Sequence, residues 1–262
     1  MEYKKIEWQG YEGVEFVLED YVCKVIKPKI KPNGKWALKT HYFTAFPETE
    51  CELLSRGWHI AFQTNRTSWA TEDDIERKAR FVKFVSAEFG LAPTCSTVGM
   101  SCGGLYAVRL AIAHPELIDV LYIDAPVLSL LSLCDLGDAK SGLRESVCTA
   151  LGMTVSELLS YREHPIDKMH VLLGHDIPIV MVSGDADTVV PYHENGAILE
   201  DYYRRHGGRI RVWIKPGADH HPHGLVGREN EVADAMEAFS AENEAKYSRY
   251  TKRNRRRLFL FL

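Results

Sequence analysis

One serine of this 262-residue chain stands in a setting that suits a nucleophile. The segment GMSCG (residues 99–103) joins a predicted strand, Cys95–Val98, to a predicted helix, Cys102–Ala113. A sharp strand-to-helix turn exposes the hydroxyl of its serine, and glycines on both sides leave room for the tight backbone. The amide of Cys102 begins the helix, where it has no intrahelical partner and could donate to an oxyanion. The pattern predicts a nucleophile elbow at Ser101; a turn serine without activity is the alternative.

Two later loops carry the residue types that could complete an acyl-transfer site. A predicted strand at Ile177–Val182 is followed by SGDADTVVP (residues 183–191), and one at Ile210–Ile214 by PGADHHPHG (residues 216–224). The carboxyl ends of parallel strands meet at one edge of a sheet, where ligands bind. A histidine can take the proton of a serine hydroxyl, and a carboxylate can hold the imidazole in the required tautomer.

The order serine, aspartate, histidine after successive strands resembles the catalytic triad of the α/β-hydrolase family. The resemblance covers about residues 11–244, and carboxylesterases and single-domain relatives of the prolyl oligopeptidases are the similar members. It implies that Ser101 is the nucleophile, that Asp187 is the acid and that His220 is the general base.

Other residues of these loops compete for the same roles. Asp185 could be the acid, but a loop-stabilising role through backbone hydrogen bonds is favoured. Asp124 follows the predicted strand Leu117–Ile123, an acid position in some relatives. His221 and His223 are predicted to be structural or to line the mouth of the site. The histidines could also be interpreted as a metal site, but no carboxylate or thiol ligand pattern accompanies them, so no metal is predicted.

The second oxyanion donor is expected, by the same resemblance, in the loop after the third predicted strand, Trp36–Phe43. This loop departs from the HGG pattern of lipases. The backbone amides of His41 and Tyr42 are therefore the candidates that would act beside the amide of Cys102.

The elements that would position these residues are strands and helices in alternation. Segments Tyr11–Glu19 and Tyr21–Lys27 alternate apolar and charged residues, which predicts an antiparallel pair. The alternation that follows predicts an α/β fold: a mixed, mostly parallel sheet with helices on both faces. The further predicted elements are a strand at Trp58–Thr64 and helices at Glu72–Glu88, His193–His206 and Glu229–Glu244.

Residues 127–176 interrupt the alternation for about fifty residues, longer than an ordinary connection. A cap over the site or a small packed insert would explain this length. As a cap, it would place Leu130 and Leu131 against the substrate, with Trp69 on the opposite wall; the alternative is that these leucines form the core of the insert. The predicted division is a hydrolase core at residues 1–126 and 177–250, a cap or insert at 127–176 and a tail at 251–262.

Composition excludes several other classes of protein. Lys and Arg number 32 and Asp and Glu 36, so a net charge of −4 gives no basic field for nucleic acid. We see no apolar segment suited to a signal or a membrane span, and no nucleotide-binding loop. Six cysteines without CxxC spacing favour free thiols in the cytoplasm.

The tail combines a basic run with the apolar LFLFL (residues 258–262). It could touch an anionic membrane or a partner, but we favour a charged helix end that docks on the body or on a second subunit of a homo-oligomer.

The sequence as a whole therefore predicts a cytoplasmic serine esterase that needs no cofactor and cleaves a small or medium ester. Two alternatives stay open. One is a serine peptidase or amidase acting on short peptides, and the other is a catalytically silent relative that binds a ligand.

Overall fold

The computed structural model describes residues 1–134 and 136–258, and a nine-stranded sheet runs through this part of the chain. Its spatial order is β1-β2-β3-β5-β4-β6-β7-β8-β9. The pairs from β1 to β3 and the pair β3–β5 are antiparallel, and all later neighbours are parallel. The strands are β1 (Lys4–Trp8), β2 (Tyr11–Leu18), β3 (Tyr21–Ile26), β4 (Trp36–Lys39), β5 (His59–Gln63), β6 (Cys95–Met100), β7 (Ile118–Asp124), β8 (Ile179–Gly184) and β9 (Ile210–Lys215).

Helices cover both faces of this sheet. Along β7, Leu121 and Ile123 pack into one buried cluster, and Val120 and Tyr122 pack into the other, because successive side chains of a strand point to opposite faces. The first cluster includes residues of α2, α3 and α7, and the second includes residues of α1 and α8. This architecture confirms the predicted fold class. The helices are α1 (Glu48–Ser55), α2 (Glu72–Phe89), α3 (Cys102–Ala113), α4 (Arg144–Leu151), α5 (Val155–Ser160), α6 (Met169–Gly174), α7 (Gly196–Arg205) and α8 (Glu229–Leu258).

Several local features differ from the sequence-based expectations. Strand β1 and helix α1 were not expected; α1 has only eight residues, too few for a stable isolated helix, and buries Leu53 and Leu54 against the cluster that includes α8. Strand β4 ends at Lys39 rather than at Phe43, and the chain at Tyr42 adopts a left-handed conformation with φ of 49°. Such a conformation cannot be part of an extended strand.

The insert, residues 127–176, shares its core with the body of the molecule. Val147 of α4, Leu158 of α5 and Leu172 of α6 belong to the same buried cluster as α3 and the sheet. Leu130 lies in this cluster with no exposed surface, and Leu131 is half-buried against it. The burial of Leu130 matches the alternative in which this leucine is a core residue, and its contact with substrate stays a prediction. The role of the insert as a cap stays a prediction.

The C-terminal helix α8 continues past its predicted end at Glu244 to Leu258. The predicted tail therefore begins inside a helix, while residues 259–262 and the side chains of residues 249–258 lie outside the described part of the chain. Within the described residues, no helix is both long enough and apolar enough to cross a membrane.

Candidate active site

Ser101 occupies the sharp turn between β6 and α3. Its φ of 54° and ψ of −120° form a strained conformation for a residue with a side chain. Close packing around the turn requires glycine: a Cβ at Gly99 would lie 2.6 Å from the carbonyl oxygen of Gly103, and one at Gly104 would lie 2.5 Å from Pro126 Cβ. The neighbouring strand holds the turn as well, because the Ser101 amide donates to the carbonyl oxygen of Asp124 at 2.9 Å.

The loops after β8 and β9 bring an aspartate and a histidine to this serine. His220 Nε2 lies 3.0 Å from Ser101 Oγ, and His220 Nδ1 lies 2.7 Å from Asp187 Oδ2. An Nδ1–H that donates to the carboxylate leaves Nε2 free to accept the serine proton. Asp187 and His220 are both buried, and Asp187 Oδ1 accepts from the amides of Val189 and Val190 at 2.9 and 2.8 Å. The arrangement can therefore move a proton from the hydroxyl to the imidazole.

Two exposed aspartates tie these loops to each other. Asp185 Oδ1, the competitor for the acid role, accepts from the Gly217 amide at 2.6 Å, whereas the imidazole of His220 bonds to Asp187. Asp219 Oδ1 accepts from the amides of Thr188 and His220 at 2.9 and 2.8 Å, and these amides lower the pKa of its carboxyl. Asp219 was not predicted to have a role, and its position beside the histidine was the only indication of one in the sequence.

A second aspartate–histidine pair lies next to the first. Asp124 Oδ1 is 2.7 Å from His223 Nδ1, and Asp124 Oδ2 accepts from the Gly224 amide at 2.6 Å. Asp124 and His223 are both buried. Asp124, considered above as a possible acid, therefore bonds to His223 and not to His220. Since its backbone carbonyl also holds Ser101, Asp124 joins the histidine loop to the elbow.

The rings of His220, His221 and His223 contact one another, with centroids 4.8 to 4.9 Å apart in every pair. Phe46 stacks on His221 at 5.4 Å and meets His223 edge-on at 5.2 Å. Partial burial lowers the pKa of His221, and its two histidine neighbours lower it further. This keeps the exposed His221 imidazole neutral over a wider pH range than a free histidine.

The chain is similar to a known family of proteins. The sequence model of the prolyl oligopeptidase family matches residues 54–245. This chain belongs to the prolyl oligopeptidase family. No curated protein matches it at a significant level. Membership favours the peptidase alternative over the ester-cleaving function that the sequence analysis placed first.

Solved structures show that this family member has the α/β-hydrolase fold. A puromycin hydrolase is 16% identical with a TM-score of 0.64, and the match covers 91% of this chain and 38% of that one. An acylaminoacyl peptidase of Pyrococcus horikoshii is 13% identical with a TM-score of 0.66, and the match covers 90% of this chain and 41% of that one. A putative dipeptidyl aminopeptidase IV from Bacteroides ovatus ATCC 8483 is 16% identical with a TM-score of 0.67, and the match covers 90% of this chain and 35% of that one. The chain thus spans about two fifths of the length of these proteins.

The loop after β4 places this family member's other oxyanion candidates beside the elbow. Thr40 Oγ1 donates to the carbonyl oxygen of Gly103 at 2.7 Å, and a Cβ at Gly103 would lie 3.3 Å from His41 Cβ. The loop backbone at His41 therefore lies against the start of α3, where Cys102 is the first residue, and Tyr42 is the next residue of the loop. Burial, assisted by Lys78, lowers the pKa of His41 to about 4, so that imidazole is neutral near pH 7.

The structure does not place all three predicted substrate contacts at a surface. Trp69 is buried, and its indole nitrogen donates to Ser146 Oγ of α4 at 2.9 Å. Leu130 is a core residue, as described above, and its amide donates to His164 Nδ1 at 3.3 Å. Trp69 thus anchors the insert, while Leu131 keeps part of its surface. An apolar pattern is the same for a pocket wall and for a core, which explains this difference.

Proposed function

We propose that this protein is a serine hydrolase that cleaves an amide bond of short peptides or aminoacyl compounds through an acyl-enzyme. One observation carries the proposal: a member of the prolyl oligopeptidase family holds Ser101, His220 and Asp187 in one hydrogen-bonded line. This line is the arrangement by which a weak hydroxyl nucleophile is activated.

The acylation step follows from the atoms that face each other. Ser101 Oγ attacks the carbonyl carbon while His220 Nε2 takes its proton, and Asp187 stabilises the imidazolium that forms. Collapse of the tetrahedral intermediate breaks the C–N bond, and His220 delivers the proton to the leaving amine. Water then attacks the carbonyl carbon of the acyl-enzyme and gives a proton to His220. The bond to Ser101 Oγ breaks, His220 returns a proton to this oxygen, and the carboxylic acid leaves.

The oxyanion of each tetrahedral intermediate needs donors that already point at it. In this proposal, the Cys102 amide is one donor, and a backbone amide of His41 or Tyr42 is the other. A single donor of this kind is worth about 3 kcal/mol of the barrier. Neither donor requires a lipase-type glycine loop, because a backbone amide of any residue suffices.

Ester cleavage by the same residues is the competing function, since an ester passes through the same acyl-enzyme. Amide and ester cleavage differ in the leaving group. An amine must receive a proton before it departs, whereas an alkoxide need not if its conjugate alcohol has a low pKa. Amide turnover therefore demands more of His220 than ester turnover does.

A matched substrate panel tests the proposal. Purified protein is assayed on dipeptidyl anilides and on simple acyl esters, with Ser101→Ala as the blank. We expect kcat/KM on the order of 10⁴ M⁻¹ s⁻¹ for at least one anilide, a normal value for an enzyme. Turnover confined to esters would establish the esterase instead. A folded protein without turnover on either class would favour the silent ligand-binding relative.

A further inference from the structure

Three imidazoles converge at one point beside Ser101. Each of His220, His221 and His223 can offer one ring nitrogen such that these three atoms lie within 4.8 Å of one another. The three ring pairs have nearly equal centroid separations, so the cluster is a compact triangle rather than a row. The proposed mechanism uses one member of this triangle and leaves the other two without a chemical role.

Two of the rings carry the partner that metal-binding histidines typically have. A histidine that ligates a metal almost always donates its other ring N–H to a carboxylate, a carbonyl or water, which fixes the tautomer and the ring orientation. His220 has Asp187 at Nδ1, and His223 has Asp124 at Nδ1, each at 2.7 Å. In both rings Nε2 is therefore the nitrogen that could bind a ligand, and in His220 a bound ion would replace the 3.0 Å contact of Nε2 with Ser101 Oγ.

The third ring supplies the freedom that the site needs. Zn²⁺ binds histidine nitrogen at about 2.0–2.1 Å in a tetrahedron, which places ligand nitrogens about 3.3 Å apart. One nitrogen of each ring lies within 4.8 Å of the others, so ring nitrogens at that limit would have to approach by about 1.5 Å to bind one ion. His221 is exposed, so its ring is less constrained by packing than the two buried rings, and Phe46 stacks on it.

We propose that His220, His221 and His223 bind a Zn²⁺ ion, and that this ion switches the hydrolase off. Neutral imidazole is a preferred ligand of Zn²⁺, and three histidines with an open fourth position form a common zinc site. While His220 Nε2 is bound to zinc, it cannot accept the Ser101 proton. The inhibitory part of this inference rests on the proposed function; the binding part does not.

Zinc binding is measured on Ser101→Ala, which keeps all three histidines and does not depend on activity. Competition with a chromophoric chelator is expected to give one Zn²⁺ per chain. His221→Ala, added to this background, should weaken binding at least tenfold, because loss of even an outer-shell partner typically costs about 10–100-fold in metal affinity. His206→Ala, which removes an exposed histidine elsewhere, is the matched control and should leave the affinity unchanged. Absence of stoichiometric binding, or equal affinity with and without the His221 ring, would overturn the proposal.

His221 is chosen for truncation because its side chain is exposed. Truncating His223 would leave the buried Asp124 carboxylate without its ring partner and would threaten folding. A melting temperature measured for each variant in the presence of chelator verifies that the comparison is made between folded proteins.

Inhibition is measured on the protein with Ser101 intact, using any substrate that it cleaves. Each variant is referred to its own rate in excess chelator. Added Zn²⁺ should abolish turnover, chelator should restore it, and His221→Ala should raise the half-inhibiting concentration at least tenfold. Mg²⁺, which prefers oxygen ligands, should have no effect. Equal inhibition of both proteins would overturn the switch. If no substrate is cleaved, the proposed function fails, and the titration with Ser101→Ala still decides the zinc site.

Discussion

Two aspartate–histidine pairs with the same chemical groups, the same 2.7 Å separation and similar burial lie side by side at the end of the sheet. They differ in what surrounds them. In the Asp187–His220 pair, the far nitrogen of the ring faces the hydroxyl of Ser101. In the Asp124–His223 pair, the second carboxylate oxygen holds the Gly224 amide, and the Asp124 carbonyl holds the elbow.

The difference teaches that such a pair is not a catalytic device by itself. A carboxylate orients an imidazole in both places, but only one imidazole meets a nucleophile. We therefore assign the first pair to proton transfer and the second to holding the histidine loop on the elbow. The variants below test this division, from the largest expected effect to the smallest.

Replacing each of the two histidines in turn should give the largest difference in kcat between the two pairs. His220→Ala should lower kcat by about 10⁶-fold, because loss of the base disables the serine as a nucleophile. His223→Gln keeps a donor for Asp124 and should cost about tenfold or less. Steady-state rates on the best substrate of the panel measure both. If the His223 variant lost as much as the His220 variant, the second pair would have a chemical role.

Replacing each of the two aspartates in turn should give a smaller difference in kcat, in the same direction. Asp187→Asn should lower kcat by about 10⁴-fold, because an amide favours the wrong imidazole tautomer. Asp124→Asn should lower kcat far less. The rate is calculated per folded molecule, with the folded fraction measured by circular dichroism. Near-normal activity of Asp187→Asn beside an inactive Asp124→Asn would transfer the acid role to β7.

Stability should reveal the holding role directly. Asp124→Ala leaves a buried histidine without its partner and removes the acceptor of the Gly224 amide, so we expect a loss of about 3 kcal/mol in the free energy of unfolding. Asp185→Ala removes an exposed tie to the Gly217 amide and should cost about 1 kcal/mol or less. Urea denaturation of both variants measures the difference. Equal losses would mean that the buried pair is no more important to folding than a surface hydrogen bond.

The parts of the molecule that could be predicted are those that short, contiguous segments of the sequence determine. The elbow around Ser101 is a contiguous motif, and the aspartate and histidine loops follow strands whose composition is clear, so their meeting in space followed from sheet topology. The fold class followed from the same alternation of strands and helices.

The parts that sequence analysis missed depend on distant contacts. The Asp124–His223 pair joins residues 99 positions apart and has no motif, so only the folded chain brings it together. Helix α1 is stabilised by packing and not by its own propensity. Leu130 and Trp69 carry side chains suited equally to a pocket and to a core, and their burial could not be read from their type.

Every catalytic step proposed for this protein requires that Ser101 is a nucleophile and that His220 activates it. Peptide mass spectrometry after exposure to a fluorophosphonate measures this directly, because the reagent phosphonylates activated serines. We predict a single adduct on the peptide that contains Ser101, no adduct in Ser101→Ala, and labelling at least 10³-fold slower in His220→Ala. A folded wild-type protein that stays unlabelled, or an adduct on another residue, would contradict the account.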